Sequence, residues 1–185
     1  MGSFRGSPGA WEFVVQPESK TATLAVHITA MISFITQEGW PISGRLLYDG
    51  SGFDTQPRPL GCVASVVVND IELMLNEDDQ RALFVTGYCP HQGWLPAILK
   101  PPASRRGSLR VEFDTPIVPG LSHRLHPWDE PWPVLVDRSN GWLRLGKDGS
   151  DSDLESVELA PGATAVVKGD RLAALWLHPV ILEIP

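Results

Sequence analysis

Cysteine is nearly absent from this 185-residue chain: Cys62 and Cys89 are the two it has, too few for a disulfide framework. They fall on neighbouring predicted strands and could pair, but two reduced, buried thiols are the expected state. Basic residues are also in deficit, 15 Lys and Arg against 22 Asp and Glu, for a net charge of −7. A general nucleic-acid binder carries a basic stripe, and none is present. Long apolar runs are missing too. The segment 22–35 is apolar enough to notice, yet His27 and Ser33 interrupt it and it is too short for a bilayer span. Residues 1–9 lack the apolar core of a signal peptide, and Gly6 stands where a myristoylation motif needs Ser or Thr. The expectation is a soluble cytoplasmic protein with neither membrane nor nucleic-acid partner, its oligomeric state left open. The chain also lacks a phosphate-cradling glycine loop, a nucleophile elbow, a dinucleotide fingerprint and an internal repeat.

What the chain does have is punctuation. Its 17 glycines and 17 prolines are spread along the sequence, the mark of many turns and few long helices. At the centre is Gly61–Leu75, GCVASVVVNDIELML. Valine is stiff at χ1 and packs well on a pleated surface, so the continuous run Val63–Val68 predicts a strand covered on both faces. Beyond Asn69-Asp70, either a bulge or a tight turn, Ile71, Leu73 and Leu75 alternate with Glu72, Met74 and Asn76, the pattern of a strand with one buried face. The run from Arg81 to Tyr88 predicts a hairpin partner, with a short helix capped by Asn76 as the rival reading.

Similar patterns place strands at Trp11–Val15, within 21–35, at Ile42–Tyr48, at Ser108–Asp114 and at Val157–Leu159, Ala163–Val167 and Leu172–Ile184. Val134–Asp137 and Gly141–Leu145 read as a hairpin with Asn140-Gly141 supplying the left-handed turn. Asp49–Leu60, Cys89–Gly107, Pro116–Pro133 and Lys147–Asp153 read as loops, with one helical turn possible at Leu95–Lys100. The sum is an all-β fold, an antiparallel sandwich or barrel of about ten strands with little helix. Residues 1–10 are expected to be a flexible tail and 11–185 a single domain.

Ile42-Ser-Gly-Arg-Leu-Leu-Tyr48-Asp49, then Asp54-Thr-Gln-Pro57 and an apolar strand, resembles a β-domain segment of bacterial exported proteins that carry a PEP-type C-terminal sorting signal. The likeness covers residues 42–75. The leader, sorting helix and terminal basic cluster of that class have no counterpart here. The resemblance implies β-structure and no defined chemistry.

The most unusual local sequence is His123–Pro133, with two histidines, two carboxylates and two indoles in eleven residues. A histidine touching a carboxylate can exchange a proton, so His123, His126, Asp129 and Glu130 are the candidate catalytic residues. The bland alternative is a proline-braced loop whose indoles plug the end of the β-structure. Pro127, Pro131 and Pro133 exclude a helix there, so His123 and His126 cannot share one helical face as metal ligands would. Cys89-Pro-His91 could join one of those histidines around zinc, iron or copper, but no paired-cysteine spacing supports it. Asp49, Ser51 and Asp54, like Asp148, Asp151, Asp153 and Glu155, offer hard oxygens without the spacing of a calcium loop. No metal and no cofactor is therefore expected. Arg105-Arg106-Gly-Ser108 has the form of a basic-directed phosphorylation site or of a basic turn before a strand.

Seven tryptophans are the one compositional excess. Trp11, Trp142 and Trp176 fall in predicted strands. Trp40, Trp94, Trp128 and Trp132 fall in proline-rich turns, where indoles rim ligand pockets and protein interfaces or cap a core. The leading expectation is a non-catalytic binding domain that recognises a small apolar or aromatic ligand, or a protein surface, through these four. The alternatives are a cofactor-free isomerase or cyclase of a hydrophobic molecule, and an acidic inhibitor or immunity-type protein with a basic partner.

Overall fold

The computed structural model describes residues 3–7, 10–14, 31–39, 41–126, 130–146 and 153–182. β1 (Ser3–Ser7) and β2 (Ala10–Val14) pair antiparallel as a ribbon, so the stretch expected as a tail contains a strand. Then follow β3 (Ile32–Glu38), β4 (Arg45–Tyr48), β5 (Gly52–Gln56), β6 (Cys62–Val68), β7 (Ile71–Asn76) and β8 (Ala82–Tyr88). A 3-10 turn at His91–Gly93 leads into β9 (Leu95–Pro96), β10 (Arg105–Phe113), β11 (Ser122–Arg124), β12 (Val134–Asp137) and β13 (Trp142–Gly146). β14 (Leu154–Ala160), β15 (Ala163–Lys168), β16 (Arg171–Leu177) and β17 (Val180–Ile181) are the last described strands.

The fold is an all-β sandwich. One sheet has eight strands in the order β3-β10-β14-β15-β16-β13-β12-β9, the other seven in the order β11-β6-β7-β8-β5-β4-β17. Both are mixed rather than wholly antiparallel: β10 with β14, β9 with β12, β11 with β6 and β17 with β4 run parallel. The sheets are stitched at their corners. Arg81 bridges Arg110, and the Ile42 N–H donates to the Leu159 carbonyl at 2.8 Å.

The central stretch is two strands, not one. Val68 faces Ile71 in the register of β6 on β7, so Asn69-Asp70 is a tight turn, with Asn69 at φ +56°. β7 returns on β8 as the expected hairpin, without the rival helix. Ala64 to Val68 are all buried, as a run without polar alternation requires. Val66, Val68, Ile71, Leu73 and Leu75 meet Leu145, Leu175 and Leu177 of the opposite sheet in one core.

A smaller apolar cluster lies on the outside of the eight-stranded sheet, where Leu99 covers Val166, Ala174 and Trp176. Asp137 fastens that strap, its Oδ2 accepting from the Leu99 N–H at 2.9 Å. Gly141, at φ +77°, closes the β12–β13 hairpin; in Asn140-Gly141 it is the glycine that takes the left-handed turn.

Several expected loops hold strands. β5 lies inside Asp49–Leu60, β11 inside Pro116–Pro133, and β9 replaces the helical turn at Leu95–Lys100, the only helical turn nearby being His91–Gly93. β3 continues to Glu38, three residues past the end of the strand expected within 21–35. Among the described residues seventeen strands therefore stand where about ten were expected of the chain. The additions are mostly two to five residues long, too short for a periodic pattern. Among the described residues no helix is long and apolar enough to cross a membrane.

Candidate functional site

β11 exists because the β6 edge receives it. Ser65 Oγ donates to Ser122 Oγ at 2.8 Å, and the Leu125 N–H donates to the Val67 carbonyl at 2.9 Å. This pairing sets His123 against Phe113, with ring centroids 4.5 Å apart. His123 Nε2 is buried and has no hydrogen-bond partner among the described residues. Burial accordingly lowers the imidazole pKa from its ordinary value and keeps the ring neutral.

Past β11 the chain turns so that His126 stacks on Trp132, centroids 5.5 Å apart and planes 25° from parallel. Trp132 is held by the tip of the central hairpin through two hydrogen bonds between its backbone and the Asn69 side chain, its N–H donating to Oδ1 and its carbonyl accepting from Nδ2. Arg124 reaches the same tip: Nη1 donates to the Asn69 carbonyl at 2.7 Å, and Nη2 lies 3.9 Å from Asp70 Oδ1. Burial pulls the Arg124 pKa down and Asp70 opposes the shift, but a guanidinium stays charged at neutral pH.

His126, Trp132 and Arg124 line one cleft of about 320 Å³. Its apolar floor is Ile32 and Phe34 of β3, Leu125, and Leu172 of β16; Arg171, exposed at the start of β16, completes the rim. The volume and the mixture of apolar walls with a few charged groups suit a small-molecule site. An apolar or aromatic body can lie against Trp132 and Phe34 while an anionic group meets the guanidinium groups.

The sequence candidates separate. His126 and Trp132 meet in the cleft, whereas His123 packs on Phe113 and is not part of its lining. Glu130 is exposed and likewise outside the lining. Asp129, Trp128 and Trp40 lie outside the described residues. Trp94 lines a different cleft, near the other ends of β12 and β16. Arg124 stands within the stretch singled out by its composition, but a lone arginine carries no motif. Arg171 had no local signal at all; only the β15–β16 turn brings it to the rim.

The other candidates have structural occupations. Cys89 Sγ accepts from Trp94 Nε1 at 3.3 Å, and burial raises its pKa. Among the described residues no three metal-ligating side chains converge, so Cys89 and His91 are not joined by His123 or His126. Asp49 Oδ1 accepts from Ser51 N–H, Ser51 Oγ and Gly52 N–H, a self-closed turn whose donors lower the carboxyl pKa. Asp54 pairs with Arg58 at 2.8 Å. Of the second acidic loop, Glu155 pairs with Arg105 and takes a hydrogen bond from Thr36, while Asp148 and Asp151 lie outside the described residues. Ser108 is buried within β10, which removes it as an accessible phosphorylation site. Compared with protein-family models, curated proteins and solved structures, the chain matches none.

Proposed function

We propose that the protein is an all-β binding domain that takes a small amphipathic molecule, an apolar or aromatic body bearing a negative charge, in the cleft at Trp132. One observation carries this reading: an indole, an imidazole and two guanidinium groups converge on one apolar-floored cleft. The Asn69 clamp on Trp132 and the Arg124 contacts to the hairpin tip supply preorganisation, which reduces the ordering cost of binding. Of the four turn tryptophans, Trp132 is the one among the described residues that lines this cleft.

His126 lines the same cleft and favours one second reading, a cofactor-free enzyme in which the imidazole moves a proton of the bound molecule. His123 is walled off from such a task by Phe113.

The test is titration with phenyl phosphate, followed through the tryptophan indole N–H resonances. The Trp132 resonance should shift on saturation, and Arg171→Gln should weaken binding about tenfold, as loss of a charge-assisted contact does. An Arg171→Gln variant with unchanged affinity would sink the reading. Should turnover of any ligand be detected, retained binding with lost turnover in His126→Ala selects the enzyme.

A further inference from the structure

We infer that the protein has a second ligand site, a cleft of about 390 Å³ at Trp94, which takes a small planar aromatic carboxylate. It lies beyond the C-terminal ends of β12 and β16, whereas the Trp132 cleft lies at their N-terminal ends. The two sites share no lining residue and stand independently.

The walls come from both sheets. Val136 and Leu143 belong to the β12–β13 hairpin of the eight-stranded sheet. Pro179 immediately precedes β17 and Ile181 lies in it, pairing with Tyr48 of β4 in the other sheet. A molecule seated here therefore contacts both layers of the sandwich. Ile181 is 67% exposed, so part of the wall is apolar surface that a bound molecule can cover.

Trp94 is a fixed platform. Its ring packs on Tyr48 at 4.8 Å and lies 8° from parallel to Phe53 at 6.4 Å, and its Nε1 donates to Cys89 Sγ. Three restraints on one indole leave little rotamer freedom to lose, so its surface in the cleft is preorganised for a flat ring.

The polarity selects the charge. Arg138 and His91 are the groups in the lining able to carry positive charge, and no lining residue is acidic. Arg138 sits in the β12–β13 turn, exposed, beside an Asp137 whose oxygens are already committed to Leu99, Ser139 and Asn140. His91 meets the Trp94 edge, and its Nδ1 lies 3.3 Å from the Gly50 carbonyl, which orients the ring. An apolar, flat-walled cleft with one guanidinium suits a single carboxylate on an aromatic body, which can pair with arginine through both oxygens.

The probe is 2-naphthoate, compared with neutral 2-naphthamide, on the full chain. Binding is followed by the indole N–H resonances, with that of Trp94 identified by its loss in Trp94→Phe. 2-Naphthoate should shift the Trp94 resonance and bind about tenfold tighter than the amide. Arg138→Gln, an exposed turn substitution, should erase that tenfold preference and leave the amide affinity unchanged. Equal naphthoate affinity in Arg138→Gln and the natural chain would overturn the site, as would no Trp94 shift up to the solubility limit of the probe. A shift confined to Trp132 would also overturn it while leaving the first cleft standing.

Discussion

Asn69 holds Trp132 by both sides of its peptide backbone: the Trp132 N–H donates to Asn69 Oδ1 and Asn69 Nδ2 donates to the Trp132 carbonyl, each at 2.9 Å. The same asparagine stands at φ +56° in the tight turn between β6 and β7. Asparagine tolerates this left-handed conformation better than most residues. One side chain thus links a hairpin of the main core to the aromatic wall of the cleft.

Two substitutions separate these roles. Asn69→Gly keeps the turn available and deletes the clamp, and should cost about 1–3 kcal/mol, the penalty of unpairing part-buried backbone groups. Asn69→Ala adds the left-handed strain, roughly 1 kcal/mol more. Urea unfolding measures both, and the Trp132 backbone amide proton, which donates to Asn69 Oδ1, should exchange faster in each. Equal stability of Asn69→Gly and the natural protein would show that water replaces the clamp without loss.

Acid should weaken the fold through His123. Its ring lies against Phe113, and burial places its pKa in the folded chain below the ordinary imidazole value. The unfolded chain then binds a proton at a pH where the folded chain does not. Stability is complete above about pH 6.5, the unfolded value, and falls as pH drops from there towards the folded pKa. His123→Leu keeps an apolar contact with Phe113 and removes the titration. Urea midpoints measured from pH 8 to 5 should fall less steeply in this variant, and identical slopes would assign the acid sensitivity to other groups.

The parts of the molecule that were legible in the sequence are those whose environment is set by residues close along the chain. Ile71, Leu73 and Leu75 are buried and Glu72, Met74 and Asn76 half-buried, in the alternation their polarity announced. Val134–Asp137 and the Asn140-Gly141 turn were recognisable for the same reason. β5 was hidden by composition: Thr55 is buried, but its hydroxyl donates to the Val85 carbonyl, so a polar residue occupies an inward position at little cost. β9, β11 and β17 have no period to detect, because each is a short parallel addition shaped by the edge that receives it. The cleft was half visible. His126 and Trp132 lie in one unusual stretch, but Ile32, Phe34 and Arg171 join them only through the packing of β3 and the β15–β16 turn.

Asp137 should control the strap over the outer cluster. Its carboxylate accepts from the Leu99 N–H, the Ser139 N–H and hydroxyl, and the Asn140 amide. The Ser139 hydroxyl leads these donors in holding its pKa below the ordinary carboxylate value. The folded chain therefore favours the charged form, and that contribution is present above about pH 3.9 and lost as pH falls below it. Asp137→Asn can place a donor where the Leu99 N–H needs an acceptor. Amide exchange at Leu99 should accelerate in Asp137→Asn at neutral pH, while the Leu73 amide in the core strand stays protected. Unchanged exchange at Leu99 would mean that packing on Trp176, with the Asn140 amide on the Leu99 carbonyl and the Ala97 N–H on the Val136 carbonyl, holds the strap without Asp137.

Cysteine reactivity should report how firmly Trp94 is seated. Cys89 is buried beneath the indole that donates to its sulfur, and burial raises its thiol pKa, so little nucleophilic thiolate forms at neutral pH. Cys62, half-buried at the start of β6, has no such cover described. Iodoacetamide at pH 7.5 should therefore label Cys62 at least about tenfold faster than Cys89, as read by peptide mass spectrometry, with the difference abolished in denaturing urea. Saturating 2-naphthoate should slow Cys89 further, because a molecule resting on Trp94 opposes the opening that exposes the sulfur. If Cys89 reacts as fast as Cys62 in the folded chain, Trp94 opens readily, and the preorganised platform on which the second site depends does not exist.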